Sequence, residues 1–183
     1  MKLLPSIVLG VLLLLALPAL GQAQTFSNAF AGFGSNAKEP IQIEARELEV
    51  EDKTNSATFK GDVVVSQGET RLKTQRLRVY YDGSASGAVQ QRISRLEASG
   101  RVYISAKDQT ATGDQASFDM NRQLMVMTGK EVVLSQGPNV VVGNRLTVDL
   151  KTGKANLQGN TSAGSSGSGR VKVLIQPNSL NKN

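Results

Sequence analysis

The sequence predicts an all-β protein made of stacked antiparallel strands. Apolar and polar residues alternate with a period of two along much of the chain, which is typical of strands buried on one face. The chain also repeats itself: residues 57–79 and 125–148 both contain a glycine, a run of three apolar residues, Ser-Gln-Gly and Arg-Leu-x-Val, in that order. Repetition at this scale indicates structural units that stack on one another.

Composition agrees with short strands and turns, and it excludes several kinds of chemistry. The 183 residues include 18 glycines, 39% hydrophobic residues and only 4% aromatic residues, and this length favours one domain with its own core. Cysteine, histidine and tryptophan are absent, which removes disulfides, thiolate nucleophiles and the commonest general base and metal ligand. We therefore predict that the protein is not an enzyme and uses no cofactor.

Residues 1–23 are predicted to be a cleaved signal peptide. Lys2 precedes an apolar stretch over residues 3–17, Pro18 interrupts it, and Gly21-Gln22-Ala23 supplies the small residues of a signal-peptidase site. The apolar stretch is shorter than the ~20 residues that a membrane span needs. We expect a soluble, basic protein outside the cytoplasm, whose partner is an anionic surface or lipid rather than nucleic acid.

A strand pattern begins after a short arm. Residues 24–39 have no clear period and are rich in small residues, so we predict a flexible N-terminal arm. Residues 41–50 alternate isoleucine, leucine and valine with glutamate, which predicts a first strand with one buried face.

The chain then follows a period of about thirty residues with one insertion. Apolar triplets at residues 63–65, 102–104 and 132–134 occupy equivalent positions, and turns rich in Asp, Asn, Lys and Gly separate the strands. The insertion, residues 81–91, is rich in glycine and serine and is predicted to be a hairpin tip or loop.

Three segments complete the predicted organisation. Residues 40–160 form the repeated β domain, residues 161–170 form a Gly/Ser-rich loop, and residues 171–183 form the last strand and the C-terminal tail.

Pairs of apolar residues two positions apart precede each recurring glycine. This spacing places both members on one face of a strand, so that pairs in register would form a continuous apolar wall. One interpretation is ordinary core filling by large and small side chains. The other is a partly open wall that meets an apolar ligand, a role to which flexible methionines are suited. The pairs are Ala57 and Phe59, Leu96 and Ala98, Met125 and Met127, and Ala155 and Leu157.

Three stretches of the chain resemble the OstA-like domain family. Residues 40–45, Pro-Ile-Gln-Ile-Glu-Ala, resemble its P-I-x-I-x-A/S opening, and residues 59–68 resemble its F-x-G-x-V-x-V-x-Q-G core. Residues 170–180, which begin Arg-Val-Lys-Val and contain a proline, resemble its last strand. The resemblance extends over residues 39–180, nearly the whole chain after the signal peptide.

The resemblance implies a fold and a function. Family members form an antiparallel β-jellyroll, two facing sheets in a slightly open V, and bind lipopolysaccharide acyl chains in the cleft. They act in the periplasm and assemble head-to-tail into a bridge that meets LptC at the inner membrane and LptD at the outer membrane. The expected partners are therefore lipopolysaccharide, through its lipid A, further copies of the chain, LptC and LptD.

Strand phase selects the residues expected to line the cleft and the edges at which copies would join. The expected groove residues are Ile41, Ile43, Leu48, Val50, Phe59, Val63, Val65, Leu72, Leu77, Val79, Leu96, Ile104, Phe118, Met125, Met127, Leu134, Val141, Leu146, Val148 and Leu157. The expected edge residues are Ile41, Ile43, Val171, Val173 and Ile175.

Basic side chains alternate with apolar ones near the end of the first repeat. One interpretation is a solvated outer face; the other is that some of Arg71, Lys73, Arg76 and Arg78 meet head-group phosphates at the mouth of the cleft.

Alternatives from other classes are an enzyme, a structural or adhesive exported β-solenoid, and a membrane-anchored protein of the LptC kind that keeps its N-terminal helix. An enzyme needs a cluster of acids and bases, and no such cluster is visible in the sequence. Asp108, Asp114 and Asp119 are expected at turns and on outward-facing positions, without the repeat pattern of a calcium-binding β-roll. A structural protein would close its apolar residues into a dry core that binds no lipid.

Overall fold

The computed structural model describes residues 39–82, 92–159 and 169–176. Within these ranges the chain forms ten strands and one single-turn 3-10 helix, Asp52–Thr54, so the all-β prediction is confirmed. The predicted signal peptide, nearly all of the arm, the hairpin tip after Asp82, most of the Gly/Ser-rich loop and the C-terminal tail lie outside the described residues. The strands are β1 (Gln42–Glu44), β2 (Glu47–Glu51), β3 (Ser56–Gln67), β4 (Thr70–Asp82), β5 (Arg92–Ala106), β6 (Gln109–Asp119), β7 (Leu124–Gln136), β8 (Asn139–Asp149), β9 (Ala155–Gln158) and β10 (Lys172–Leu174).

All strand pairs are antiparallel and belong to one sheet with the order β1-β3-β4-β5-β6-β7-β8-β10. β2 pairs with the other half of β3, and β9 pairs with the other half of β8. The predicted first strand is therefore two short strands, β1 and β2. They are separated at Arg46, whose backbone N–H donates to the carbonyl oxygens of Lys60 and Gly61, each at 3.1 Å.

Each long strand is interrupted near its middle, where the cross-strand register shifts. Gly61 (φ 78°) and Gly100 (φ 83°) occupy the left-handed region at these bulges, which glycine adopts without a steric penalty. The bulges divide the sheet into two halves that we call wall A and wall B. Wall A comprises β1, β10 and residues 63–67, 70–74, 102–106, 109–113, 132–136 and 139–143; wall B comprises β2, β9 and residues 56–60, 76–82, 92–99, 115–119, 124–128 and 145–149.

The inner faces of the two walls pack on each other. Buried side chains from both walls, such as Val65 and Leu72 of wall A and Leu77 and Val79 of wall B, belong to one hydrophobic core. The sheet is not closed on itself, because among the described strands β1 and β2 pair only with β3, and β9 and β10 pair only with β8. The described residues thus form a folded sheet with an apolar interior and two ends that pair with no other described strand.

Candidate functional site

Cross-strand pairing aligns the inner-face residues into three continuous apolar rows. Residues directly opposite each other in antiparallel strands lie on the same face, so the register defines each row. Every row crosses eight strands, which at ~4.8 Å per strand gives a length of roughly 35–40 Å. The row on wall A is Ile43, Val65, Leu72, Ile104, Ala111, Leu134, Val141 and Val173; the rows on wall B are Leu48, Phe59, Leu77, Ala98, Ala116, Met127, Leu146 and Leu157, and Val50, Ala57, Val79, Leu96, Phe118, Met125, Val148 and Ala155.

The structure places the apolar pairs of the sequence repeat in the two rows of wall B. In the middle of these rows, large side chains of one row lie beside alanines of the other: Ala98 and Ala116 occupy the row next to Leu96 and Phe118. Phe118 and Met127 have no exposed surface (0%), so the walls are in close contact there. The central interior is packed by the protein's own side chains.

The interior opens at both ends of the sheet. The side chains of Leu48 and Val50 on β2 are 55% and 65% exposed, although they pair with the inner-face residues Phe59 and Ala57. At the other end, Val173 of β10 is 58% exposed. An edge strand has a neighbour on one side only, so its apolar side chains are covered only in part.

The predicted groove residues all belong to the inner face, but they differ in burial. Leu48 and Val50 are exposed, and thirteen others are buried. Five are half-buried and pack against the core: Ile41, Ile43, Phe59, Val141 and Leu157.

Several inner-face residues are missing from the predicted groove. They are mostly alanines or the first residues of the apolar triplets, and their equivalence in the repeat was the signal that could have found them. They are Ala57, Ala98, Val102, Ala106, Ala111, Ala116, Val132 and Leu150, all of them buried.

The two ends of the sheet carry opposite charge. Residues 39–55, which include β1 and β2, contain six acidic and two basic side chains. Residues 150–159 and 169–176, which include β9 and β10, contain four basic side chains and no acidic one. We call these the N-terminal edge and the C-terminal edge; they are complementary in charge.

Ion pairs join β2 to the outer face of wall B. Lys60 Nζ lies 2.7 Å from Glu49 Oε2 and 3.4 Å from Glu47 Oε1. The hydrogen bond from Lys60 lowers the pKa of the Glu49 carboxyl below its ordinary value, and the same bond raises the pKa of the Lys60 ammonium. Arg78 Nη2 similarly lies 2.9 Å from Glu51 Oε2. These contacts fix β2 against β3 and β4.

The basic residues of the first repeat lie on the outer face. Arg71, Lys73 and Arg76 are exposed and Arg78 is half-buried. The Arg78 guanidinium also donates to the Ser56 hydroxyl and lies 5.1 Å from the ring centroid of Tyr80. Side chains held in this way stabilise the outer surface of wall B.

The aspartates singled out by the sequence include two that accept hydrogen bonds from backbone N–H groups. Asp114 Oδ2 accepts a hydrogen bond from the Lys130 N–H at 2.9 Å, and Asp119 Oδ1 accepts one from the Arg122 N–H at 2.9 Å. Among the described residues, acidic side chains do not gather into a group that could hold a metal ion. No helix in the described part of the chain has the length and apolar character needed to span a bilayer.

The described strands form a folded, open sheet with an apolar interior, which agrees with the architecture that the OstA-like resemblance implies. The chain belongs to the family described as LptA/(LptD N-terminal domain) LPS transport protein, whose sequence profile matches residues 42–154. The OstA-like resemblance is thereby confirmed.

Three comparisons relate the chain to particular proteins. It is 36% identical over 163 residues to an uncharacterized protein of Rhizobium meliloti (strain 1021), with 88% of this chain and 84% of the relative covered. It is 26% identical over 145 residues to the lipopolysaccharide export system protein LptH of Pseudomonas aeruginosa, with 78% and 82% covered. The crystal structure of LptH, titled the LptA homologous periplasmic component of the conserved lipopolysaccharide transport device, has the same fold: the TM-score is 0.64 at 23% identity, covering 78% of this chain and 99% of that one.

Proposed function

We propose that the protein is a periplasmic lipopolysaccharide carrier of the LptA kind, which holds lipid A acyl chains between walls A and B. The observation that carries the proposal is the set of three apolar rows, which run without interruption through eight strands and reach exposed residues at Leu48 and Val50 on one end of the sheet and at Val173 on the other. Family membership supports the transport role. The signal peptide predicted from the sequence and the periplasmic description of LptH support the location.

Apolar burial supplies enough free energy for the task without any chemical step. Each CH₂ group buried contributes ~0.8 kcal/mol, so one acyl chain of about twelve carbons contributes on the order of 10 kcal/mol. An acyl chain that enters the interior replaces contacts between the walls with contacts of the same apolar kind. Separation of the walls would bend the sheet at the bulges, where the backbone passes from one wall to the other.

The flexible and small residues at the centre suit this separation. Met125 and Met127 are unbranched and fit irregular surfaces, and Ala98 and Ala116 leave room once the facing wall moves away. The exposed ends at Val50 and Val173 are the places where an acyl chain first meets the rows.

We further propose that copies of the chain join head-to-tail through their unpaired edges. The N-terminal edge and the C-terminal edge expose apolar side chains inside and carry opposite charge, so one edge complements the other. A contact of this kind does not close and produces a linear assembly. The same two edges are the surfaces through which LptC at the inner membrane and LptD at the outer membrane would bind.

Photo-crosslinking in cells tests the carrier function. A photoreactive amino acid replaces Leu48, Phe59 or Leu72 on the inner face, and Lys73 serves as the outward-facing control beside Leu72. We expect the inner positions to capture lipopolysaccharide and Lys73 to capture none.

A structural or adhesive exported protein is the second candidate, because the centre of the interior is fully buried at Phe118 and Met127. That candidate predicts a folded, exported protein in which none of the inner positions captures lipid. Such a result would overturn the carrier proposal.

A further inference from the structure

Three of the five buried polar side chains of the described residues lie together in the apolar interior. Among the described residues the buried polar side chains are those of Ser56, Gln67, Thr70, Thr74 and Gln109. Three of them, Gln67, Thr70 and Gln109, lie in a single inner-face row of wall A. Because burying a polar group costs free energy unless it is hydrogen-bonded, such a concentration requires an explanation.

The row is the last one of wall A before the turns, at the end of the wall farthest from the bulges. The register runs from Gln67 to Thr70, then to Ala106, Gln109 and Gln136, one strand at a time. Gln67 and Gln136 are the glutamines of the repeated Ser-Gln-Gly motif. We call Gln67, Thr70, Gln109 and Gln136 the amide lip.

The corresponding end of wall B is apolar. Leu150 is buried there, and Tyr81, Ile93 and Met120 are half-buried against the core. Burial raises the pKa of the Tyr81 phenol, which agrees with an apolar surrounding. We call these four residues the apolar lip. Both ends lie away from the bulges that join the walls, so the mouth of the folded sheet has one polar side and one apolar side.

Members of the amide lip also make contacts within the protein. Gln67 Nε2 donates to the Glu39 carbonyl oxygen at 3.0 Å, and Gln136 Nε2 lies 3.4 Å from Asp108 Oδ2. Simple closure of the mouth requires no amides, since the opposite side is closed by apolar side chains. A carboxamide is neutral and both donates and accepts hydrogen bonds, so it matches ester and amide carbonyls and sugar hydroxyls equally well.

We propose that the amide lip is the hydrogen-bonding half of the lipid site, and that it binds the linkages and hydroxyls of an acylated saccharide whose chains lie between the walls. This inference rests on the carrier function proposed above. Thr70, Gln109 and Gln136 lie on three different strands, so polar contacts recur along the mouth at multiples of ~4.8 Å. The site therefore orients an acylated sugar with its polar part toward wall A.

Side-chain amide resonances of the unaltered protein, purified after export, provide the first test. The probes are a synthetic glucosamine that bears one amide-linked and one ester-linked lauroyl chain, and laurate, which has the chain but no acylated sugar. We expect the acylated glucosamine to shift the NH₂ signals of Gln109 and Gln136, whereas laurate leaves them in place. The exposed outer-face Gln115 is the internal control and should not respond to either probe.

Substitution provides the second test. Gln109→Leu and Gln136→Leu should each weaken binding of the acylated glucosamine by about fivefold, the loss expected for one hydrogen bond, and should not weaken laurate binding. Gln115→Leu should change neither affinity. If laurate and the acylated glucosamine bind but the amide signals and affinities do not respond as stated, the amide lip is overturned and the carrier function stands. If neither probe binds the unaltered protein, both proposals fail.

Discussion

Gly143 and Gly113 lie beside the bulges, where a neighbouring strand leaves no room for a side chain. A Cβ atom on Gly143 would lie 2.6 Å from the Gln158 carbonyl oxygen and 2.7 Å from Leu157 Cγ. On Gly113 it would lie 2.7 Å from Met127 Cγ. All three distances are far inside van der Waals contact, so these glycines let the strands approach closely at the bend. Gly61 and Gly100 also allow the bend, because they adopt positive φ angles that other residues rarely adopt.

The ion pair between Glu49 and Lys60 predicts a pH dependence at the N-terminal edge. The pKa of Glu49 is lowered in the folded protein, so its contribution to stability is fully present above the ordinary value of 4.5 and is lost as the pH falls through the folded value. We expect the backbone amides of β2 to exchange faster with solvent as the pH is lowered through this range, after correction for intrinsic exchange rates.

Lys60→Met is the matched control for this prediction, because it keeps the aliphatic stem and removes the ammonium group. In that variant the protection of β2 should be lower at neutral pH and should change less in the acid range, because Arg76 and Arg78 still act on the carboxylates of β2. Equal pH dependence in both proteins would contradict the assigned role of the pair.

At the scale of the element, the edge strands differ from the strands between them. β2 and β10 expose apolar side chains on the inner face, and each pairs with a neighbour on one side only. Natural sheets usually protect such edges, so an apolar edge left open indicates a surface for another strand.

Charge placed on these edges should prevent assembly without unfolding the protein. Val50→Lys and Val173→Lys change side chains that are 65% and 58% exposed, so the melting temperature should change by no more than about 2 °C. Sedimentation velocity should show that each variant remains a monomer at concentrations where the unaltered protein forms longer species.

A suitable control is Gln75→Lys, an exposed position at a bulge. It should assemble as the unaltered protein does. Assembly of both edge variants to the normal extent would show that copies meet elsewhere.

At the scale of the whole molecule, the opposite charge of the two edges would give the proposed assembly a direction. An N-terminal edge repels another N-terminal edge and attracts a C-terminal edge, which favours head-to-tail order. We expect assembly to weaken as the salt concentration rises from about 0.05 M to 0.5 M, because the shorter Debye length screens the attraction between the oppositely charged edges. Light scattering at fixed protein concentration measures the extent of assembly at each salt concentration. Assembly that strengthens steadily with salt would indicate apolar contacts alone.

The sequence by itself determined the all-β class and the stacking of the repeats. The alternation of apolar and polar residues predicted which side chains of most strands point inward. Val65, Leu77, Phe118 and Met127 are buried as the period of two predicts. A period of two fixes which face of a strand is apolar, because successive side chains must point to opposite sides. The sequence also shows the glycines at the bulges and the motif that matches the family, because both depend on short stretches of the chain.

Only the tertiary structure decided how these strands are folded into two walls. The bulges shift the register by amounts that no local pattern specifies, and cross-strand pairing places Thr70 and Gln109 in one row although they are 39 positions apart in the chain. The division of residues 41–50 into β1 and β2 likewise depends on a contact between Arg46 and the distant Lys60 and Gly61. Cross-strand pairing, which depends on the whole chain, therefore set the amide lip and the charged edges.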